Sequence, residues 1–229
     1  MVRDWHLLPY MVRKSLLLLL LIGCSGKEAA VASGDEADLT SVPADVTRAA
    51  FFFKPNPIDQ SGLGIVLADG VAFAAGATSE ALPEATTLDH EPMIDLRGKI
   101  VTVRGERFGA FVDKPSHPAD PTKERLFGRT APARFSGTLT VGTSCTVVGT
   151  DMDMYSSGPP ALITLSGAVT QVRGTHVIVT TTKSTGGEGS LLVCGNALAG
   201  VEAGAGSQGT TFEFRVLDDE FLAAFARLR

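Results

Sequence analysis

The amino-acid sequence predicts a mainly β protein, a small antiparallel barrel or sandwich with an amphipathic helix at its C-terminus. Aromatic residues make up only 7% of the chain, and 25 glycines are spread over its 229 residues. Short apolar runs rich in valine and threonine alternate with turn residues, and long helical periods are scarce. Such a balance is typical of β-structure with many turns.

Two hairpins carry the clearest local signal. Asp69-Gly70 separates two apolar runs, and a type I′ turn needs the positive φ angles that these residue types tolerate. Arg173-Gly174 separates the runs 161–172 and 175–182, which alternate apolar and polar residues. Gly167 interrupts that alternation and indicates a bulge or a tight bend.

The first half of the domain is less regular. Residues 40–53 fit either a short helix running to about Phe52 or, over 49–53, a buried strand that contains three adjacent phenylalanines and stops at Lys54-Pro55. We expect those rings in the core. Residues 78–92 read as loop, and residues 97–105 as a strand that 108–112 continue past a bend at Gly109.

The second half gives shorter signals. Residues 113–132 form a long, proline-rich polar insertion, and residues 135–148 contain one or two strands around Gly142. Residues 197–209 are rich in glycine and alanine and read as a loop. Alternation over 211–216 points Phe212, Phe214 and Val216 inward and Glu213 and Arg215 outward. The acidic residues at 218–220 then open a short amphipathic helix with Phe221, Phe225 and Leu228 at helical spacing, which we expect to pack over one end of the sheet.

The N-terminus has the pattern of an export signal. Arg13 and Lys14 precede an unbroken apolar run at 16–22, which ends in Gly23-Cys24. The run is too short to span a bilayer, and a basic patch followed by a short apolar core and a small residue is typical of a secretory signal peptide. Met11 is a better start for such a signal than Met1.

Leu21-Ile22-Gly23-Cys24 resembles a bacterial lipobox. The resemblance implies cleavage before Cys24, lipidation of its sulfur and acylation of its amine; an ordinary secreted protein cut nearby is the alternative. Ser25 in the next position suggests the outer membrane. The predicted organisation is a signal peptide at 1–23, a lipidated flexible tether at 24–39 and one β domain at 40–229.

Charge excludes one class of partner. Removing residues 1–23 takes away Arg3, Arg13, Lys14 and Asp4, which leaves 17 basic and 24 acidic side chains, formally −7 against −5 for the whole chain. A mildly acidic chain without basic clusters argues against nucleic-acid binding. The expected partners are the membrane, through the lipid anchor, and an unidentified envelope protein or ligand.

Cys145 and Cys194 are the two cysteines that lipidation does not use. In a chain bound for an oxidising compartment an even pair predicts a disulfide. A reactive thiol is the alternative, although Gly142-Thr143-Ser144-Cys145 matches no nucleophile pattern.

Two phrases of the sequence, at 96–105 and 163–169, have the order strand, glycine, further strand. In this they resemble small OB-type barrels, including those of envelope proteins. The long insertion at 113–132 departs from a compact five-stranded barrel, and the strands lack the aromatic and basic residues that OB surfaces use for ligands. A β-sandwich is the alternative.

The search for catalytic chemistry yields only isolated residues. His90 lies between two acids, His117 lies in the proline-rich insertion, and Asp151 and Asp153 flank Met152. No histidine pair or Cys-x-x-Cys has the spacing of a zinc site, and no EF-hand glycine or glutamate follows the aspartates. The sequence therefore predicts no metal, no cofactor and no catalytic residue that can be named.

Two functions stay open. The first is a non-enzymatic cell-envelope lipoprotein whose β domain binds a partner or has a structural role. The second is a membrane-tethered hydrolase with a site near the insertion at 113–132, where His90, His117, Asp151 and Asp153 would have to converge. The sequence favours the first and does not decide whether the protein is an enzyme.

Overall fold

The computed structural model describes residues 39–54, 62–68, 71–74, 84–87, 92–93, 97–112, 129–151, 161–185, 189–203 and 209–228. All of them belong to one compact unit, Glu36–Arg229. Their strands form a seven-stranded antiparallel sheet and a closed six-stranded barrel. The mainly β prediction, with a barrel and a short C-terminal helix, is confirmed.

The first half of the unit builds the sheet, which we call the sheet throughout. A 3₁₀ turn at Leu39–Ser41 precedes the first helix. The elements are α1 (Ala44–Ala49), β1 (Ala50–Lys54), β2 (Gly62–Ala68), β3 (Val71–Ala74), β4 (Glu84–Thr87), β5 (Pro92–Met93), β6 (Arg97–Val103) and β7 (Glu106–Val112). Neighbouring strands follow the order β5-β4-β1-β2-β3-β7-β6.

The second half builds the barrel and the last helix. The elements are β8 (Ser144–Asp151), β9 (Ala161–Arg173), β10 (His176–Thr181), β11 (Leu191–Cys194), β12 (Ala197–Glu202), β13 (Thr211–Val216) and α2 (Asp219–Ala226). The barrel closes in the order β10-β13-β12-β11-β8-β9. It has six strands, whereas the OB type has five.

Aromatic side chains cover both faces of the sheet. On one face the rings of Phe51 and Phe53 lie 5.9 and 6.4 Å from that of Phe111. On the other face Phe108 packs edge to face on Phe221 of α2, with ring centroids 5.0 Å apart. Phe73 contacts the same helix. The predicted burial of the phenylalanines at 51–53 is confirmed, and α2 packs on the sheet as expected.

The apolar core joins the sheet to the barrel. One cluster runs from the sheet and both helices onto the outer face of the barrel, where it includes Val148, Leu191, Val193 and Val201. A second cluster fills the barrel interior around Val147, Val179, Phe212 and Phe214. The side chains of β8 and β11 therefore alternate between two cores, as the two-residue period of a strand requires.

The ambiguous segment 40–53 resolves into both predicted elements. α1 ends at Ala49, and β1 begins at the next residue and pairs with β2 on one side and β4 on the other. The loop predicted at 78–92 is wrong in part, because β4 lies within it and β5 begins at its last residue. These strands are only 4 and 2 residues long, too short for a periodic signal to show.

The chain reverses at Arg104-Gly105 instead of bending at Gly109. Arg104 has φ 50° and Gly105 has φ 86°, the pair of positive angles that a type I′ hairpin needs. β6 and β7 then pair from Val103–Glu106 to Arg97–Val112. The sequence carries no clear signal for this turn, because arginine seldom occupies the first central position of a type I′ turn.

The predicted loop at 197–209 is also wrong over its first six residues, which form β12 between β11 and β13. Within 135–148 only the end is strand. In β13, Phe212 and Phe214 point inward as predicted, but Arg215 is buried rather than exposed. The β9–β10 hairpin is confirmed, with its bulge at Thr170 of β9, opposite the step Ile178/Val179 of β10, and not at Gly167.

The structure joins Cys145 and Cys194 in a disulfide across β8 and β11, where they are register partners. Their Cα atoms are 4.3 Å apart. Cys24 and the predicted signal and tether, at 1–38, lie outside the described residues, so lipidation stays a prediction. Within the described ranges no helix is both long and apolar enough to cross a bilayer.

Candidate functional site at the junction of sheet and barrel

Backbone contacts link the sheet to the barrel and define a junction between them. Leu63 of β2 donates its N–H to the carbonyl of Gly189, just before β11. Arg129 donates to the carbonyls of Arg48 and Ala50, and a few residues later Phe135 donates to Leu198 of β12. We call the region around these contacts the sheet–barrel junction.

The side chains of His176 and Glu106 contact each other across this junction. His176 begins β10 of the barrel and Glu106 begins β7 of the sheet, and Nε2 of the first lies 3.1 Å from Oε2 of the second. The histidine side chain is 15% exposed and the glutamate 40%. Thr175 Oγ1 lies 3.4 Å from the other ring nitrogen, Nδ1.

The set Thr175, His176 and Glu106 has the residue types of a hydroxyl–imidazole–carboxylate triad but not its geometry. A nucleophile and its base lie about 2.6–3.2 Å apart. The distance between Thr175 Oγ1 and His176 Nδ1 is longer, at 3.4 Å. Thr175 is also the chain neighbour of His176 and sits in a hairpin turn. We therefore assign the His176–Glu106 pair to holding sheet and barrel together.

A buried arginine lies beside this pair. Arg215, the register partner of His176, is 1% exposed. It donates to the carbonyl oxygens of Val216 and Thr175 and to Asp218 Oδ2, at 2.7, 3.3 and 2.9 Å. Its guanidinium also stacks 5.4 Å from the centroid of the Phe221 ring. These contacts satisfy the charge of Arg215 inside the protein, so the arginine is a fixed part of the fold.

Asp218 links that arginine to α2. Desolvation by burial raises the pKa of this carboxyl, but the Phe221 N–H, the hydrogen bond from Arg215 and the charges of Arg215 and Arg104 together hold it below its usual value. Nearby on the surface, Arg104 donates from Nε to Glu220 Oε2 at 2.7 Å. That exposed pair raises the pKa of Arg104 above its usual value, chiefly through the hydrogen bond.

A second polar group lies at the inner end of the barrel, next to Gly189. Thr185, Ser190 and Glu202 are 8, 0 and 3% exposed. Among the described residues, neither Thr185 Oγ1 nor Ser190 Oγ has a hydrogen-bond partner. Burial of hydroxyls without partners is uncommon in folded proteins and calls for an explanation.

The candidate residues drawn from the sequence fall elsewhere. His90, His117 and Asp153 lie outside the described residues, as does most of the insertion at 113–132, and Asp151 is the last residue of β8. Among the described residues no three His, Cys, Asp or Glu side chains are placed to hold a metal ion. His176 was read from the sequence only as a strand residue, and a strand position carries no signal for a contact 70 residues away.

Comparison with known proteins identifies solved structures that share this fold. No protein-family model and no curated protein matches the chain. A Glu endopeptidase aligns with a TM-score of 0.57 and 16% identity over 83% of this chain and 94% of its own. An inactivated protease paralogue of the scabies mite aligns with a TM-score of 0.57 and 11% identity over 81% and 95%. Kallikrein-related peptidase 10 aligns with a TM-score of 0.51 and 12% identity over 75% and 91%.

The chain has a chymotrypsin-like protease fold. The likeness extends over nearly the whole length of each relative, so both the sheet and the barrel take part in it. This fold corrects the description of a lipoprotein whose β domain has no assigned fold family, because the structural relatives are proteases. Nothing in the comparisons supports the lipoprotein or outer-membrane terms, and they do not test the lipidation of Cys24. Of the two functions predicted from the sequence, the hydrolase fits this fold better.

A serine nucleophile of the chymotrypsin type has a sequence requirement that can be checked. Its oxyanion hole uses the backbone N–H of the serine and of a glycine two residues earlier. In this chain the pattern Gly-x-Ser occurs only at Gly23–Ser25 and Gly142–Ser144. The Gly142 N–H donates to the carbonyl of Val169 at 2.8 Å, so it is not free to bind an oxyanion.

The order of residues excludes the other match. The chymotrypsin-type triad runs histidine, aspartate, serine along the chain. No aspartate lies between His6 and Ser25, so Gly23–Ser25 cannot complete it. The glycine-rich stretch before β11 reads Gly186-Gly187-Glu188-Gly189, with a glutamate where a Gly-x-Ser pattern would have its serine.

Proposed function

We propose that this protein captures extended polypeptides at the sheet–barrel junction and does not hydrolyse them through a serine triad. The observation that carries the proposal is a protease fold without an available Gly-x-Ser. The fold supports a polypeptide as the ligand, because its relatives are named as endopeptidases and peptidases. One of them is named as an inactivated protease, so the same fold occurs without catalysis.

The described side chains support capture over catalysis. His176 is engaged at both ring nitrogens, and Cys145 and Cys194 are joined in a disulfide and offer no thiolate. Ser190 is fully buried, so its hydroxyl is not accessible to a substrate. His176 has an acidic partner, Glu106, but that partner lies across the junction. A catalytic group needs its base within about 2.6–3.2 Å.

Peptide-bond hydrolysis is the second candidate, favoured by the relatives that are named as peptidases. A base other than His176 would then be required. His90 and His117 precede Asp and Ser residues in the chain, as a triad in the chymotrypsin order demands. This version corresponds to the hydrolase that the sequence places near the insertion at 113–132.

A labelling experiment separates the two. The purified protein is incubated with a fluorophosphonate probe, which forms a covalent bond with activated serines, and its intact mass is measured beside that of trypsin. Digestion and binding of fluorescein-labelled, reduced and carboxymethylated α-lactalbumin are followed in parallel by gel and by fluorescence polarisation. We expect binding without labelling or cleavage.

Cleavage, or a mass increase that H90Q or H117Q abolishes, would instead establish the hydrolase. A protein that neither binds nor cleaves the polypeptide would overturn both candidates. Binding is placed by photo-crosslinking and peptide mapping. Crosslinks should fall on β2 and β11 beside Leu63 and Gly189, and crosslinks confined to the exposed end of β9 at Val172 would contradict the assigned surface.

A further inference from the structure

A cavity of about 670 Å³ lies where the first helix meets the barrel. Residues 40–44 line it from the 3₁₀ turn to the start of α1, and Thr47 and Arg48 line it from the next turn of the helix. Asn196, in the turn between β11 and β12, lines it from the barrel. Both halves of the fold therefore contribute to the wall of this cavity.

The two sides of the cavity are held together by the segment that leads into the barrel. Arg129 donates from Nη1 to the carbonyl of Arg48 at 2.7 Å, and Ala133 donates its N–H to Asp45 Oδ2 at 2.7 Å. The carbonyl of Ala133 accepts the N–H of Leu198 in β12 at 2.9 Å. One stretch of chain thus connects α1 to β12, so the cavity is a fixed feature of the fold.

The cavity offers a positive charge and unused hydrogen-bond donors. Among the described residues that line it, Arg48 is the one with a charged side chain, and it is exposed. Its Nε donates to the carbonyl of Ala44 at 3.1 Å, which anchors the guanidinium on the helix. A guanidinium has five N–H donors, so four remain. In the part of the chain that the structure describes, no group accepts from those four, and the side-chain amide of Asn196 is also unpaired.

A carboxylate is the group that fits these donors. Its two oxygens are acceptors only, and an arginine binds them with two parallel hydrogen bonds. The amide of Asn196 can supply a third donor. Asp45, the acid of α1, does not compete for the guanidinium, because its two oxygens accept the N–H groups of Val46 and Ala133.

We propose that Arg48 and Asn196 bind a carboxylate of the captured polypeptide, either an aspartate or glutamate side chain or the C-terminal end of the chain. The inference rests on the proposed capture function. The carbonyl of Arg48 takes part in one of the contacts that define the sheet–barrel junction, so the bound carboxylate lies next to the captured chain. The protein then favours polypeptides that are acidic or that end at this position.

The test uses three unlabelled peptides that differ only in their carboxylates. The first has one internal glutamate and an amidated C-terminus, the second has glutamine there and the same amide, and the third has the glutamine and a free C-terminus. Isothermal titration calorimetry measures the affinities, because a fluorescein label would itself add a carboxylate. We expect the wild type to bind the first or the third peptide about tenfold more tightly than the second, and R48Q to lose that difference.

Two further variants show whether the effect is specific. R227Q removes an exposed arginine at the end of α2 and should keep the wild-type preference. N196D adds a negative charge to the cavity wall and should weaken binding of the preferred peptide about fivefold or more, without changing that of the neutral one. Turns accept aspartate as readily as asparagine, so N196D carries the test if R48Q does not fold. Equal effects of N196D on both peptides, or no effect on either, would contradict the site.

The outcomes also identify the source of the carboxylate. Tighter binding of the first peptide assigns the site to a side chain, and tighter binding of the third assigns it to a chain end. Equal affinities for all three in the wild type, or a preference that R48Q keeps, would overturn the site while leaving polypeptide capture intact.

If no peptide binds, capture itself fails, and an NMR titration with sodium propionate tests the carboxylate site alone. Shifts of the Arg48 Nε–H and Asn196 amide signals that propionamide does not cause would support the site for a free carboxylate. The absence of such shifts would reject it.

Discussion

At the scale of single residues, Arg215 shows how a charge is accommodated inside this fold. Strand alternation assigns it to the outer face, yet it is 1% exposed because three acceptors and a ring surround it. The burial of Arg215 has no signal in the sequence, since the acceptors come from the β9–β10 turn, from the end of β13 and from the N-cap of α2. A periodic pattern indicates the direction in which a side chain points, but it does not indicate which groups the side chain will contact.

Arg215→Ala should therefore be strongly destabilising. The change removes the hydrogen bonds to Thr175, Val216 and Asp218 and leaves acceptors unsatisfied, for an expected loss of about 3 kcal/mol in the free energy of unfolding. Urea unfolding followed by circular dichroism measures it. The matched control is R134A, because Arg134 pairs with Asp219, which is 91% exposed, and such pairs contribute about 0–1 kcal/mol. Similar losses in both variants would contradict the role of burial.

At the scale of elements, α2 depends on the residue that precedes it. Asp218 is the N-cap and accepts the Phe221 N–H at 2.8 Å. The signals for this helix were complete in the sequence, with acids at its start and Phe221 and Phe225 at helical spacing. It was predicted well because local chemistry decides it. β4, β5 and β12 were missed because each is held by its neighbours in the sheet or barrel rather than by its own residues.

The cap predicts a pH dependence. The pKa of Asp218 in the folded protein is below its usual value of 3.8, so the folded state binds the proton more weakly than the unfolded state. Its contribution to stability is present above the unfolded pKa and is lost as the pH falls below about 4 toward the folded pKa. We expect D218N to be less stable than the wild type by on the order of 1 kcal/mol at pH 7.

The same comparison at low pH provides the check. The difference between wild type and D218N in the midpoint of urea unfolding should shrink steadily from pH 5 to pH 2.5, because the wild-type carboxyl becomes neutral like the amide. D219N, one residue into the helix, alters an acid with an exposed side chain and serves as the control. A gap between wild type and D218N that stays constant with pH would mean that the charge of Asp218 is irrelevant.

The disulfide joins two adjacent barrel strands and should stabilise the fold by restricting the unfolded chain. Cys145 and Cys194 enclose a loop with a sequence separation of 49. In the chain-entropy model a bridge of that span stabilises the folded state by about 4 kcal/mol. The double variant C145A/C194A should lose roughly that amount in urea unfolding. Since both sulfurs are buried, a loss below about 1 kcal/mol would show that the bridge constrains the unfolded chain far less than the model states.

At the scale of the whole molecule, the sequence predicts the class of fold but not its affiliation. Alternation, hairpin turns and the capped helix are local, and they suffice for a β barrel with a C-terminal helix. Recognising a protease fold requires knowing that the strands divide into a sheet and a closed barrel, and register between distant strands sets that division. The candidate site was missed for the same reason. Glu106 and His176 come together only when the sheet meets the barrel.

The continuous apolar core leads to a prediction about how the sheet and the barrel unfold. One apolar cluster contains Phe73 and Phe111 of the sheet, Phe221 of α2, and Leu191 and Val201 on the outer face of the barrel. Because neither part can lose this contact without exposing core residues to water, we expect the sheet and the barrel to unfold in one cooperative transition. Native-state hydrogen exchange measures it. The amides of Ala110 in β7 and Val179 in β10 should show the same opening free energy, equal to that of global unfolding. An opening of the sheet at clearly lower energy would mean that the junction is a weak interface, and His176→Gln should then lower it further.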